Sequence, residues 1–107
     1  MFESKLLSVS WTPEQVQAVW NRGIVMTNND PTRVGQDVCR AWIVRNEHGN
    51  RQSEYGWEID HIDPNGGDEL ENLRPLHWDN NASRQDGQLT CPVIANGIHN
   101  IRRFPRQ

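Results

Sequence analysis

Lysine occurs once in this chain, at position 5, cysteine only at positions 39 and 91, and long apolar runs do not occur at all. Each shortage excludes something. A helix that crosses a bilayer takes roughly 18 or more consecutive apolar residues. The N-terminal MFESKLLSVSW has neither the charged start nor the apolar stretch of a secretory signal, so the expected location is the cytoplasm. The two cysteines form no C-x-x-C pair, which argues against a zinc ribbon, and they read as ordinary reduced thiols, partly buried. A basic surplus is missing too. Eleven Lys and Arg against fourteen Asp and Glu leave a formal charge of −3, slightly unfavourable for long-range attraction to nucleic acid. Yet ten of the eleven basic residues are Arg, whose planar fork matches phosphate oxygens bidentately.

A chain of 107 residues fits one small domain, which hides only about 60 to 68% of the surface its unfolded form exposes. With 35% hydrophobic residues and a mean hydropathy of −0.84 the core is modest, and five Trp must carry much of it. No internal repeat or domain boundary divides residues 1–107.

WTPEQVQAVWNRG predicts an N-terminal helix: Thr12 caps, Pro13 takes the first position, and Gln15 completes a capping box. Val16, Val19 and Trp20 share its inward face, and Gly23 is placed to end it in a left-handed turn. Residues 27–36 read as a loop, and DVCRAWIVRNEHG as either helix or extended chain, with the extended form favoured. YGWEIDHI alternates, Pro64-Asn65-Gly66-Gly67 turns, and NLRPL supplies a partner strand. HWDNNASRQDG then predicts a short helix capped by Asp79 or Asn80 and stopped by Gly87. Beyond it Pro, Gly and Asn are too frequent for a helix, and the chain ends in a basic tail of Arg102, Arg103 and Arg106. The whole reads as α+β, a β-hairpin plus short helix with an N-terminal helix and irregular flanking segments.

In such a frame the end of the first strand faces the first turn of the helix, so Asp60 and Asn81 can meet. A carboxylate and an amide carbonyl are hard ligands suited to Mg²⁺ or Mn²⁺. His61 lies across the pleat from Asp60, and both address one site only if the strand ends or bulges there, as Asp63-Pro64 allows.

D-H-I-x-P, a Gly-Gly turn, E-N-L-x-P-L and then x-N-N-x-S-R-x-D, running from Gly56 to about Asp86, resemble the HNH nuclease family, also called ββα-metal or His-Me finger nucleases. The resemblance implies a ββα-metal finger over about residues 56–87. It implies metal ligands at Asp60 and Asn81, a general base at His61, and a loop-bracing role for Asn72. The implied reaction is metal-dependent hydrolysis of DNA phosphodiester bonds, leaving 5′-phosphate and 3′-hydroxyl ends. Arg84, three residues after Asn81 on one helical face, is expected to hold a phosphate or to stabilise the leaving side. Arg102 and Arg103 are candidate nucleic-acid contacts. Many relatives carry C-x-x-C pairs flanking the motif for structural zinc; here the second pair's positions hold His77 and Asn80 and no first pair matches, so no structural zinc is expected.

The plainer readings stand beside these. Trp57 and Trp78 read as core, and the Arg tail is either a DNA-contacting arm or a solvated terminus. His77 is either packing or a contact behind the metal. Zinc ligation by His48, His77, His99 and the cysteines is disfavoured by irregular spacing. The expected partner is DNA, with RNA open, within a bacterial or phage-infected cell, free or in a larger DNA-processing assembly. The alternatives are a nucleic-acid-binding module with a vestigial site and a nuclease toxin restrained by an inhibitor protein.

Overall fold

The computed structural model describes residues 10–85 and 87–104; the segment before Ser10, Asp86 and the end of the basic tail with Arg106 lie outside them. Helix α1, Pro13–Trp20, forms as its sequence predicts. Thr12 Oγ1 accepts from Gln15 N at 3.1 Å, and Gln15 Oε1 accepts from Thr12 N at 2.9 Å, closing the capping box. The helix ends at Asn21 in a right-handed conformation, and Gly23 does not take the left-handed turn expected of it. Gly23 instead sits against Pro75, 3.3 Å from the position of a would-be Cβ, where α1 packs on strand β4 (Leu73–His77). Arg22 locks this contact by donating from Nε to Leu73 O at 2.8 Å.

Three antiparallel strand pairs make up the rest. Strand β1, Val34–Gln36, pairs with β2, Trp42–Val44; β3, Trp57–His61, pairs with β4; β5, Val93–Asn96, pairs with β6, His99–Arg102. The favoured extended reading of DVCRAWIVRNEHG therefore holds over β2, followed by one 3₁₀ turn at Arg45–Glu47. The flanking segments are more regular than expected. Val93–Arg102 closes as a hairpin because Gly97, at φ 64°, takes the first central position of a two-residue turn whose twist suits antiparallel strands. The side chain of Asn100 fastens that hairpin to β2, accepting from Trp42 N at 2.8 Å and donating to Trp42 O at 3.0 Å.

The core lies between α1 and the β3–β4 pair: Val16, Val19, Trp20, Ile43, Trp57, Ile59 and Leu73 are buried together, with Trp11 packed at the margin. Tryptophan can fill so small a core only if its N–H finds an acceptor. Trp20, Trp42, Trp57 and Trp78 donate theirs to the carbonyls of Pro31, Gly97, Arg45 and Ser53, at 2.7 to 3.2 Å.

The cysteines are not reduced thiols: Cys39 and Cys91, 52 residues apart, form a disulfide. It ties the turn before β2 to the segment entering β5, and it removes both thiolates from any zinc site. Beside it the buried carboxylate of Asp37 accepts four hydrogen bonds, from Cys39 N, Ala41 N, His77 N and Asn80 Nδ2, at 2.8 to 3.0 Å. Asn80 extends the network to Val93, whose N and O it binds at 2.8 and 3.0 Å. At His77 and Asn80, therefore, hydrogen bonds to one carboxylate join the strands and the helix. Burial pushes the Asp37 carboxyl up, against the opposing effect of its donors.

Candidate active site

Helix α2, Trp78–Ala82, follows β4 without a loop and is only five residues long. Neither Asp79 nor Asn80 is its cap. His77 caps it, with Nδ1 accepting from Asp79 N at 3.1 Å, and Ser83 ends it four residues before Gly87. His77 Nε2 reaches Glu54 O at 2.8 Å, so the packing alternative describes this histidine.

Alternation along β3 sends Trp57 and Ile59 into the core with α1, and Glu58 and Asp60 toward α2. His61 has the parity of Ile59, and its ring lies 5.8 Å from that of Trp11. Asp60 and His61 thus address different surroundings, as the pleat dictates.

Asp60 is only 4% exposed. The β3–β4 register sets it opposite Arg74, whose Nε donates to Asp60 Oδ2 at 2.7 Å. Arg84 Nη1 donates to the other oxygen, Oδ1, and to His61 O at 2.8 Å; its Nη2 reaches Ile62 O at 3.3 Å and Gly87 O at 2.6 Å. Asp60 does not meet Asn81. Arg84 is past the end of α2 rather than on a face shared with Asn81, and it is spent on the protein's own oxygens.

Asn81 meets Glu58 instead, donating from Nδ2 to Oε1 at 2.9 Å. Arg51 grips the same carboxylate, Nε to Oε2 at 2.5 Å and Nη2 to Oε1 at 2.8 Å. Burial raises the Glu58 carboxyl, but the bonds from Arg51 and Asn81 outweigh it and hold the group below its ordinary range. Glu58, Asn81, Arg51, His61, Asp68 and Trp11 line one open cleft of about 710 Å³ beside β3. Glu58 and Arg51 were not among the residues singled out by sequence. Glu58 sits two positions before Asp60 on the same strand face, and this spacing was the available signal.

The loop after β3 is braced by Asn72. Its Oδ1 accepts from Asp63 N at 2.8 Å, and its Nδ2 donates to Asp63 O at 3.1 Å and Gly67 O at 2.9 Å. Asp68, at the end of this loop, has Oδ1 2.7 Å from His61 Nε2. Asp68 therefore ties the end of the loop back to the end of β3.

The basic tail is engaged with the protein where it is described. Arg102 pairs with Asp79 at 2.9 Å and donates to Ser83 Oγ and Phe104 O. Arg103 donates to Cys91 O at 2.6 and 3.1 Å and to Thr90 O at 3.4 Å. His99 contacts Glu54 at 3.1 Å. Among the described residues no group of three or more His, Cys, Asp or Glu side chains is placed to hold a metal ion, and no helix is long and apolar enough to cross a membrane.

No family model matches the chain, and no curated protein or solved structure matches it either.

Proposed function

We propose that this chain is an HNH-type endonuclease built on a ββα finger, hydrolysing phosphodiester bonds of DNA. The observation that carries the reading is the convergence of His61, at the end of β3, and Asn81, on the helix that follows β4, on one open cleft, with the β3–β4 loop braced by Asn72. The motif supports it from the sequence side, since Asp60, His61, Asn72 and Asn81 stand at the family's spacing.

In this reading His61 takes a proton from water, and the oxygen attacks phosphorus opposite the 3′ oxygen. The phosphorus–oxygen bond to that 3′ oxygen breaks, and the leaving oxygen takes up a proton from solvent. The products carry 5′-phosphate and 3′-hydroxyl ends. General-base assistance of this kind is typically worth about 10² to 10⁴ in rate.

The resemblance also implies a divalent ion, Mg²⁺ or Mn²⁺, which when bound neutralises charge on phosphoryl oxygens. As folded, the donor set does not fit that ion. Both oxygens of Asp60 accept from guanidinium groups, and the amide of Asn81 is turned to Glu58. Asp60 becomes available to a cation only when Arg84 withdraws. The same ion pairs favour a second reading, a nucleic-acid-binding module whose nuclease site is vestigial.

Incubation of the protein with supercoiled plasmid and Mg²⁺ or Mn²⁺, alongside EDTA and His61→Ala controls, separates the two. Nicking that requires the ion and is lost in His61→Ala supports the nuclease. Cleavage that persists in His61→Ala removes His61 from the mechanism, and retention of DNA without cleavage of DNA or RNA selects the binding module.

A further inference from the structure

We propose that Asp68 is a positioning residue for His61, fixing the imidazole tautomer that leaves Nδ1 as the proton acceptor. The contact is His61 Nε2 to Asp68 Oδ1 at 2.7 Å. An ionised carboxylate only accepts, so the hydrogen in this contact sits on Nε2. In a neutral imidazole the lone pair is then on Nδ1.

The placement of Asp68 follows from the loop. Strand β3 ends at His61, and Ile62 N donates to Asn72 O at 2.8 Å, fixing the base of the loop. Gly66 N turns back to Asp63 O at 2.9 Å, and a Cβ on Gly66 would come within 2.7 Å of Asn72 Nδ2, so any larger residue there would push the Asn72 amide from its place. The last carbonyl that Asn72 binds is that of Gly67, the residue directly before Asp68. Asn72 therefore acts on His61 through Asp68, across a loop held at both ends. The Trp11 ring, tilted 42° at 5.8 Å, packs beside the imidazole as well.

The energetics make the proposal separable from folding. The Asp68 side chain is 62% exposed and that of His61 33%, so the pair, like other surface ion pairs, contributes little to stability. Orientation of a reacting histidine is a different quantity. Removing a partner that holds a ligand or base in its tautomer typically costs about 10- to 100-fold.

The catalytic consequence rests on the nuclease reading; the tautomer does not. Imidazole ¹⁵N–¹H correlation spectra of the full chain at about pH 8 report which nitrogen carries the proton. The His61 signals are assigned by their loss in His61→Ala. The expected result is a single Nε2–H form in the wild type. Asp68→Ala should relax it to a tautomer mixture, and Asp68→Asn should shift it toward Nδ1–H, because the amide can donate to Nε2. If the wild type cleaves plasmid with Mg²⁺, both variants should lower kcat about 10- to 100-fold with KM little changed, and Asp68→Glu should restore part of it. His61 spectra that are unchanged by Asp68→Ala and Asp68→Asn overturn the proposal, in an active or an inactive protein alike. So does an unchanged kcat in an active one. A wild type that cleaves nothing while its tautomer responds to Asp68 sinks the nuclease reading alone.

Discussion

Arg84 and Asp60 form a part-buried ion pair that joins the segment after α2 to the end of β3. The Arg84 guanidinium stands among one carboxylate oxygen and the carbonyls of His61, Ile62 and Gly87, with Arg74 closing the other side of the carboxylate. Hard oxygens gathered in this way are also what a small divalent ion takes. In the nuclease reading a guanidinium and a metal ion would compete for Asp60, and only one of them can hold Oδ1.

That competition is measurable. Calorimetric titration with Mn²⁺ should show Arg84→Ala binding the ion at least about 10-fold more tightly than wild type, since the variant removes a competing cation; such a change is about 1.4 kcal/mol. Asp60→Asn should abolish the binding. Equal Mn²⁺ affinity in wild type and Arg84→Ala excludes Oδ1 of Asp60 as a ligand.

The same pair sets a stability prediction. Asp60→Ala strands two half-buried guanidinium groups, and removal of one partner from a fully buried pair, the upper bound here, typically costs about 3 to 5 kcal/mol. Arg84→Ala should cost less, because Arg74 still pairs with Asp60. Urea denaturation of the two variants gives the order, and a larger loss in Arg84→Ala contradicts it.

What could be read from sequence was what neighbours in the chain decide. The α1 capping box spans Thr12 to Gln15, and the core face of Val16, Val19 and Trp20 follows from one helical period. The alternation of Trp57 to His61 placed β3, and NLRPL placed β4. What escaped depends on contacts far apart in the chain. Arg74 reaches Asp60 through the strand register, and Arg84 comes to it from beyond a helix that ends two residues earlier. Asp68 lies seven residues from His61, a spacing with no helical or strand period to mark it. The β5–β6 hairpin was different: Gly97 is the local signal for its turn, overridden by the frequency of Pro, Gly and Asn around it.

The Cys39–Cys91 bridge closes a loop of 52 residues, for which the loss of chain entropy in the unfolded state corresponds to about 4 kcal/mol. Cys91→Ser, or reduction with a phosphine, should lower unfolding stability by about that amount. Thiol alkylation with mass analysis establishes the redox state first. Two alkylatable thiols in freshly purified native protein would remove the bridge from this account. Disulfides persist chiefly in oxidising compartments, so the same measurement bears on the expectation of a cytoplasmic setting.

Acid should loosen the fold through His77. Its two ring nitrogens are both committed to the neutral form: Nδ1 accepts from Asp79 N, while Nε2 faces Glu54 O and carries the hydrogen. Protonation at Nδ1 replaces an acceptor with a donor and breaks the cap of α2. Burial accordingly holds His77 below the ordinary 6.5, and burial with the charge of Arg45 does the same for His48. Between the folded pKa and 6.5 the unfolded chain binds more protons, so stability is full above 6.5 and is lost as pH falls through the folded value. For His77 the slope is at most about 1.4 kcal/mol per pH unit. Asp37 works in the opposite sense, since its raised carboxyl loses stability as pH climbs from 3.8. The contribution of His77 is therefore read as the difference between wild type and His77→Asn, a variant that can still cap the helix but does not titrate. Urea midpoints from pH 8 to 5 should fall more steeply in the wild type, and parallel curves for the two proteins would show that the cap does not carry the acid sensitivity.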